Sequence, residues 1–241
     1  MLLWWLKKVG DSGELAWFLA ALDRLAYGLR ILGHGTKRRA GRFSAVVQAI
    51  RHDRDLRNAG SPLNLSRDEL KTIHHNLRDL HARSAPMAKL VLLRLNDHLA
   101  GSPQGVPFDD LSIEHLLPRK PGINSPWRAC FPDPAERDRH TESLGNLVLV
   151  GKTQNDKAGN LDFARKREVL FKAGAGSTLP VNAYVRQQTE WTALQIRERE
   201  AELMRHLYEI WNFGPVPSRD EPAGGSGNPS KRARQPQPAS A

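Results

Sequence analysis

The stretch that most restricts the fold is Ile113-Glu114-His115-Leu116-Leu117-Pro118, read with Leu144-Gly145-Asn146-Leu147-Val148-Leu149-Val150. Asp109 to His115 alternates over a few residues as a short strand does, and Pro118 stops it. Leu147 to Val150 is apolar and bounded by Gly145 and Gly151, as expected of a second short strand entered and left by turns. Between them, residues 119 to 143 are rich in Pro, Arg and Asp and read as a loop with a short helix around Pro134 to His140. Asn155 to Gly159 reads as polar and flexible, and Leu161, Phe163, Arg165, Lys166, Val169 and Leu170 then suggest a helix. Strand, long loop, strand, helix is a ββα unit.

Around this unit the periodicity is helical. Leu15, Phe18, Leu22, Leu25, Leu29 and Leu32 recur at three and four residues behind the cap candidates Asp11 and Ser12. Lys37-Arg38-Arg39 and Arg42 precede a second stretch with Phe43, Val46, Val47 and Ile50. Cations at a helix start oppose its dipole, so a phosphate contact stands there beside a plain solvated helix start. Ser66 and Glu69 have capping-box spacing before Leu70, Ile73, Leu77 and Leu80. His74, His75 and His81 lack an i, i+4 ligand partner and read as surface or boundary residues. Pro86 suits the first turn of a central helix running through Leu90 to Leu99. In the last helix Trp191, Leu194, Ala201, Met204, Leu207 and Trp211 face one way, with Arg197, Glu198, Arg199 and Glu200 among its exposed charges.

The expected fold is mainly α with a small embedded ββα unit, α+β in class. Residues 1–105 form a helical subdomain, 106–213 the ββα region with its closing helix, and 214–241 a disordered tail with a basic cluster at Lys231-Arg232-Ala233-Arg234. Trp4, Trp5 and Trp17 read as packing residues. The apolar Met1 to Leu6 is too short to span a bilayer and is followed by Lys7 and Lys8, so neither a signal peptide nor a membrane segment is expected. A single cysteine, Cys130, provides no disulfide framework and no paired zinc motif, which points to a reducing, cytoplasmic setting.

Lys and Arg exceed Asp and Glu by 36 to 26, a net charge of +10 that favours a polyanionic partner, although solubility alone accounts for such an excess equally well. Hydrolysing a phosphodiester needs an activated water and a cation beside the scissile phosphate. Neutral His115 can accept the proton. Glu114 points to the opposite face of an ideal strand but reaches a metal where the strand ends. Asn155 can add a side-chain carbonyl to an oxygen-liganded Mg²⁺. Asn146 can hold the His115 loop or fix the imidazole tautomer.

Taken together, the EHLLP block, the LGNLVLV block, Asn155 with Phe163 and Lys166, and Trp191, Ile196, Arg197 and Trp211 resemble the HNH or ββα-metal nucleases. The likeness is strongest to the C-terminal domain of GmrSD-type restriction endonucleases and covers about residues 85 to 213. The resemblance implies a metal-dependent DNA endonuclease restricting foreign or modified DNA, with His115 as general base and Asn146 positioning its loop. It implies Glu114 and Asn155 as ligands of Mg²⁺, Mn²⁺ or another divalent cation. Lys157, Lys166, Arg119 and Lys152 are candidate phosphate contacts. Many HNH enzymes have aspartate where Glu114 stands and histidine where Asn155 stands. The nucleotide-hydrolysing ParB-like domain usual in GmrSD-type proteins has no motif here, so a separate or missing domain or subunit is an expected partner. The rival expectation is a non-catalytic nucleic-acid-binding or interaction subunit of a split restriction system. Oligomeric state is left open.

Overall fold

The computed structural model describes residues 12–105, 108–172 and 178–214. Trp4, Trp5 and the rest of the N-terminal apolar cluster, Asp11, and the tail beyond Gly214 lie outside the described residues.

Helices α1 (Ser12–Ile31) and α2 (Thr36–Arg51) pack through Phe18, Leu25, Leu29, Val46 and Ile50. The turn between them uses Gly33 at a φ of 71°, a conformation that favours glycine. Arg42 of the basic knot donates to Pro62 O at 2.7 Å and Glu69 Oε1 at 3.1 Å, tying α2 to the loop ahead. Helix α3 (Arg67–Arg78) starts at the expected capping box: Ser66 Oγ accepts from Glu69 N and Glu69 Oε2 from Ser66 N. A single turn, α4 (Leu80–Arg83), leads into α5 (Ala85–Leu99), capped by Ser84 with proline in its first turn. Helix α5 buries Met87, Ala88, Val91, Leu92 and Leu95, as a central helix must.

Strand β1 (Leu111–His115) pairs antiparallel with β2 (Leu147–Gly151), setting Glu114 opposite Val148 and His115 opposite Leu147. All five residues of β2 are buried, because both faces of the sheet are covered. Side chains alternate between the faces. Leu147 and Leu149 join the core of α5 and the last helix, whereas Val148 and Val150 pack with Leu116, Leu117, Trp127, Phe163 and Trp191. The larger core draws Ile73 to Leu95 together with Leu111 to Trp211, from both sides of residue 105.

The loop between the strands holds two helices, α6 (Pro126–Cys130), which the sequence reading missed, and α7 (Pro134–Glu142). Beyond β2 the chain enters α8 (Lys152–Ala158) directly, where a flexible segment was expected from Asn155. Only Ala158 of α8 is buried, so the helix shows no apolar stripe by which to recognise it. Helix α9 (Phe163–Phe171) follows, capped by Asp162. Then come α10 (Ala183–Gln187) and the long α11 (Ala193–Trp211), which opens with a Thr192–Gln195 capping box.

Two charges on α11 are not exposed as expected. Arg199 is fully buried and donates to Gly145 O at 2.6 Å, Leu147 O at 2.7 Å and Val181 O at 3.1 Å. Burial lowers its pKa to about 10. Glu200, also buried, accepts from Ser143 Oγ at 2.9 Å. These bonds turn the charged side of α11 into the face that grips the entry to β2. His74 is likewise buried, with Nδ1 2.8 Å from Tyr208 Oη.

The same contact leaves no room at Gly145. A methyl group there meets the Ile196 carbonyl oxygen and lies 2.9 Å from Glu200 N, both backbone atoms of α11. Gly145→Ala is therefore expected to lower stability by about 1–3 kcal/mol or more, the usual cost of overpacking, read from urea denaturation midpoints. An unchanged midpoint would contradict this packing.

Candidate active site

Glu114 and His115 end β1 on opposite faces. The Glu114 carboxylate pairs through Oε1 with the Lys166 ammonium of α9, which also donates to His115 O at 2.7 Å. Lys166 has no exposed surface, so its ammonium bridges the strand end to α9 and does not reach solvent. Burial raises the Glu114 pKa and lowers that of Lys166, while each partner's charge opposes the other's shift.

Asn155, on α8, donates through Nδ2 to Ser112 Oγ and, at 3.1 Å, to Ile113 O. Ser112 and Glu114 share a face of β1 by strand alternation. Since the nitrogen end of the amide faces the strand, Oδ1 is left as its ligating atom. The oxygens of Glu114 and Asn155 are hard donors of the kind that suit Mg²⁺ with retained waters. One carboxylate oxygen already holds Lys166, so a cation must share Glu114 with an ammonium.

Asn146 is fully buried and its amide is saturated. Oδ1 accepts from Leu117 N at 2.8 Å and Trp191 Nε1 at 3.1 Å, and Nδ2 donates to Leu117 O and Thr141 O, both at 2.9 Å. Its own carbonyl accepts from Leu116 N at 3.1 Å. The residue thus clamps the chain leaving His115, and its bonds go to that chain, Thr141 and Trp191, not to the imidazole.

The His115 ring sits among residues the sequence reading did not connect with it. His81 of α4 meets it edge to face at 4.7 Å, and Glu142 at the end of α7 places Oε2 3.8 Å from both His115 Nε2 and His81 Nδ1. Arg119 grips Glu142 at 2.8 and 2.9 Å and lies 2.9 Å from His81 Nδ1. The ring is 12% exposed, yet Nε2 itself is buried without a hydrogen-bond partner. Burial first, then His81, Arg119 and Lys166, push the His115 pKa down to about 3. The ring is therefore neutral across the physiological range, with a weakly basic lone pair.

No local pattern points to His81 or Glu142, because they meet His115 only after α4 and α7 pack beside β1. Of the remaining phosphate candidates, Lys152 and Lys157 are exposed on α8, whereas Arg119 is engaged by Glu142.

This geometry lies within a stretch that matches a known family: the C-terminal domain of GmrSD restriction endonucleases matches residues 65–206, more than half of the chain. The chain belongs to that family. The GmrSD C-terminal match takes in β1, β2, α8, α9 and most of α11, and also His81 and Glu142. It relates the chain to restriction endonucleases, as the motifs suggested. No curated protein matches the chain.

Asn146→Ala leaves the Leu117 amide and the Trp191 indole N–H without their buried partner. A loss of about 1–3 kcal/mol for each group left unpaired is expected, measured by chemical denaturation; a neutral result would contradict the clamp. For His115, the folded pKa lies below the unfolded value near 6.5, so the unfolded chain binds the extra proton and stability falls as pH drops from about 6.5 toward 3. Carbon-detected NMR of the DNA-free protein should show no His115 titration between about pH 5 and 8. A midpoint near 6.5 would contradict the packing around the ring.

Proposed function

We propose that the chain is a metal-dependent DNA endonuclease that hydrolyses phosphodiester bonds by an HNH mechanism, in restriction of foreign or modified DNA. The observation that carries this reading is the neutral His115, its Nε2 free of hydrogen bonds, at the end of the strand that also bears Glu114. Antiparallel β1 and β2 followed by a helix support it, as the element order such a mechanism uses, with α8 standing ahead of the helix expected at Leu161 to Leu170.

In this reading His115 Nε2 takes the proton of the attacking water. Glu142 stands on the same side of the ring and stabilises the imidazolium that results. Asn146 acts through the Leu116–Leu117 backbone and keeps the strand end in register. Glu114 and Asn155 would hold the divalent cation, Mg²⁺ or Mn²⁺, which supplies charge neutralisation at the phosphate and the leaving oxygen. Lys166 is a positioning residue that orients Glu114 and the His115 carbonyl. Exposed Lys152 and Lys157 meet the DNA backbone, and Arg119 can exchange Glu142 for a phosphate. Choice of target and nucleotide control would come from a separate or missing ParB-like domain or subunit.

Three observations favour the rival reading of a non-catalytic nucleic-acid-binding or interaction subunit: the ammonium of Lys166 already neutralises Glu114, Glu114 and His115 lie on opposite faces of β1, and His115 Nε2 is buried. Incubating the chain with supercoiled plasmid and Mg²⁺ or Mn²⁺, with EDTA as control, separates the two. Metal-dependent cleavage is expected, falling by about a hundredfold or more in His115→Ala while folding and most DNA binding persist. Full metal-dependent cleavage by His115→Ala would remove His115 from the mechanism, and DNA binding without any cleavage would favour the rival.

A further inference from the structure

Among the described residues, two groups of histidine and carboxylate side chains bring three ligating atoms within 4.8 Å of one another. The first, His81, His115 and Glu142, belongs to the site above, and there Arg119 holds both Glu142 oxygens and contacts His81. The second, His98, His206 and Glu209, shares no residue with that site and joins the C-terminal ends of α5 and α11.

In this second group, His206 and Glu209 lie three residues apart, one turn of α11, and so share a helix face. His206 Nδ1 is 3.3 Å from Glu209 Oε2, and His98 Nε2, from the last turn of α5, is 3.7 Å from the same oxygen. The two imidazoles meet at 5.2 Å and 60°, an edge-on and not a stacked contact. A tetrahedral ion with bonds of about 2.0–2.1 Å holds its ligand atoms about 3.3 Å apart. Small rotamer adjustments therefore suffice to close these atoms on one ion. Nδ1 of His206 is buried and faces the Glu209 carboxylate, so it points into the space between the three ligating atoms.

Arg205 occupies the outer atoms: it donates to Glu209 Oε1 at 2.6 Å and lies 3.0 Å from His206 Nε2. In that arrangement the neutral ring carries its proton on Nδ1. Metal binding transfers the proton to Nε2, after which Arg205 keeps only Glu209. Its side chain is 55% exposed, which leaves room for that movement toward solvent.

We propose that His98, His206 and Glu209 bind one divalent transition-metal ion, with Zn²⁺ as the representative case. Two imidazoles and one carboxylate select such an ion over Mg²⁺ or Ca²⁺, which prefer all-oxygen surroundings. Bound there, the ion staples α5 to α11, the two helices that flank the larger core. It is independent of the cation the nuclease reading requires.

The test is Zn²⁺ titration of the full, tag-free chain by calorimetry, with thermal unfolding in Zn²⁺ and in Mg²⁺. One Zn²⁺ per chain is expected, with an unfolding midpoint raised by Zn²⁺ and unmoved by an equal concentration of Mg²⁺. His98→Ala and Glu209→Gln alter partly exposed side chains and should fold; each should weaken Zn²⁺ binding about tenfold or more and abolish the shift. His81→Ala should retain both. Absence of saturable Zn²⁺ binding, or binding that survives His98→Ala and disappears in His81→Ala, would overturn the proposal. Cleavage is not a readout here, so this result and that of the nuclease test are distinguishable.

Discussion

Four hydrogen bonds converge on the buried amide of Asn146, and the arrangement around β1 depends on them. They join the start of β2 to the chain leaving β1, to the end of α7 and to the indole of Trp191 just before α11. An amide with both lone pairs and both hydrogens used cannot be replaced by a smaller or apolar group without leaving partners unpaired in a dry interior. The neighbouring contacts work in the same direction. Gly145 lets the α11 backbone approach, and Arg199 then bonds the carbonyls on either side of Asn146. The segment from Ser143 to Leu147 is thereby held by side chains of a helix some fifty residues later, and β1 takes its register from it.

That rigid strand separates two chemistries. On the face of Ser112 and Glu114, hard oxygen donors meet Lys166 and Asn155. On the other, His115 meets a second histidine, a carboxylate and a guanidinium. His115 is the last residue of β1, and its ring keeps a small exposed edge there.

The sequence was most informative where a feature is local. The two apolar runs bounded by Pro118, Gly145 and Gly151 identified the strands, the Ser66–Glu69 spacing identified a helix start, and the apolar stripe identified α11. It was least informative where burial depends on a partner distant in the chain. Arg199 looks like a surface charge because its acceptors are backbone carbonyls, which no side-chain pattern announces. Helix α8 lacks an apolar face, since Asn155 attaches it to β1 by polar contacts. Glu114, His115, Asn146 and Asn155 could be singled out from their motifs, but the contacts of His81 and Glu142 with His115 and the link from Lys166 to Glu114 exist only once α4, α7 and α9 have packed.

The charges around the strand end nearly balance in the free protein. Glu114 faces Lys166, Glu142 faces Arg119, and burial keeps His115 neutral. Burial takes the ring away from the solvent that would stabilise its charged form, and His81, Arg119 and Lys166 disfavour a further positive charge, which is why its pKa falls so far below the ordinary value. On the proposed reading, a phosphodiester entering this site brings an unmatched negative charge into a region of low dielectric. It competes with Glu142 for Arg119, and a carboxylate released from Arg119 stabilises an imidazolium more strongly than a paired one does. Both effects raise the basicity of His115 when a phosphate is present, so the group that is a feeble base in the free protein becomes a stronger one beside the bond it would help to cleave.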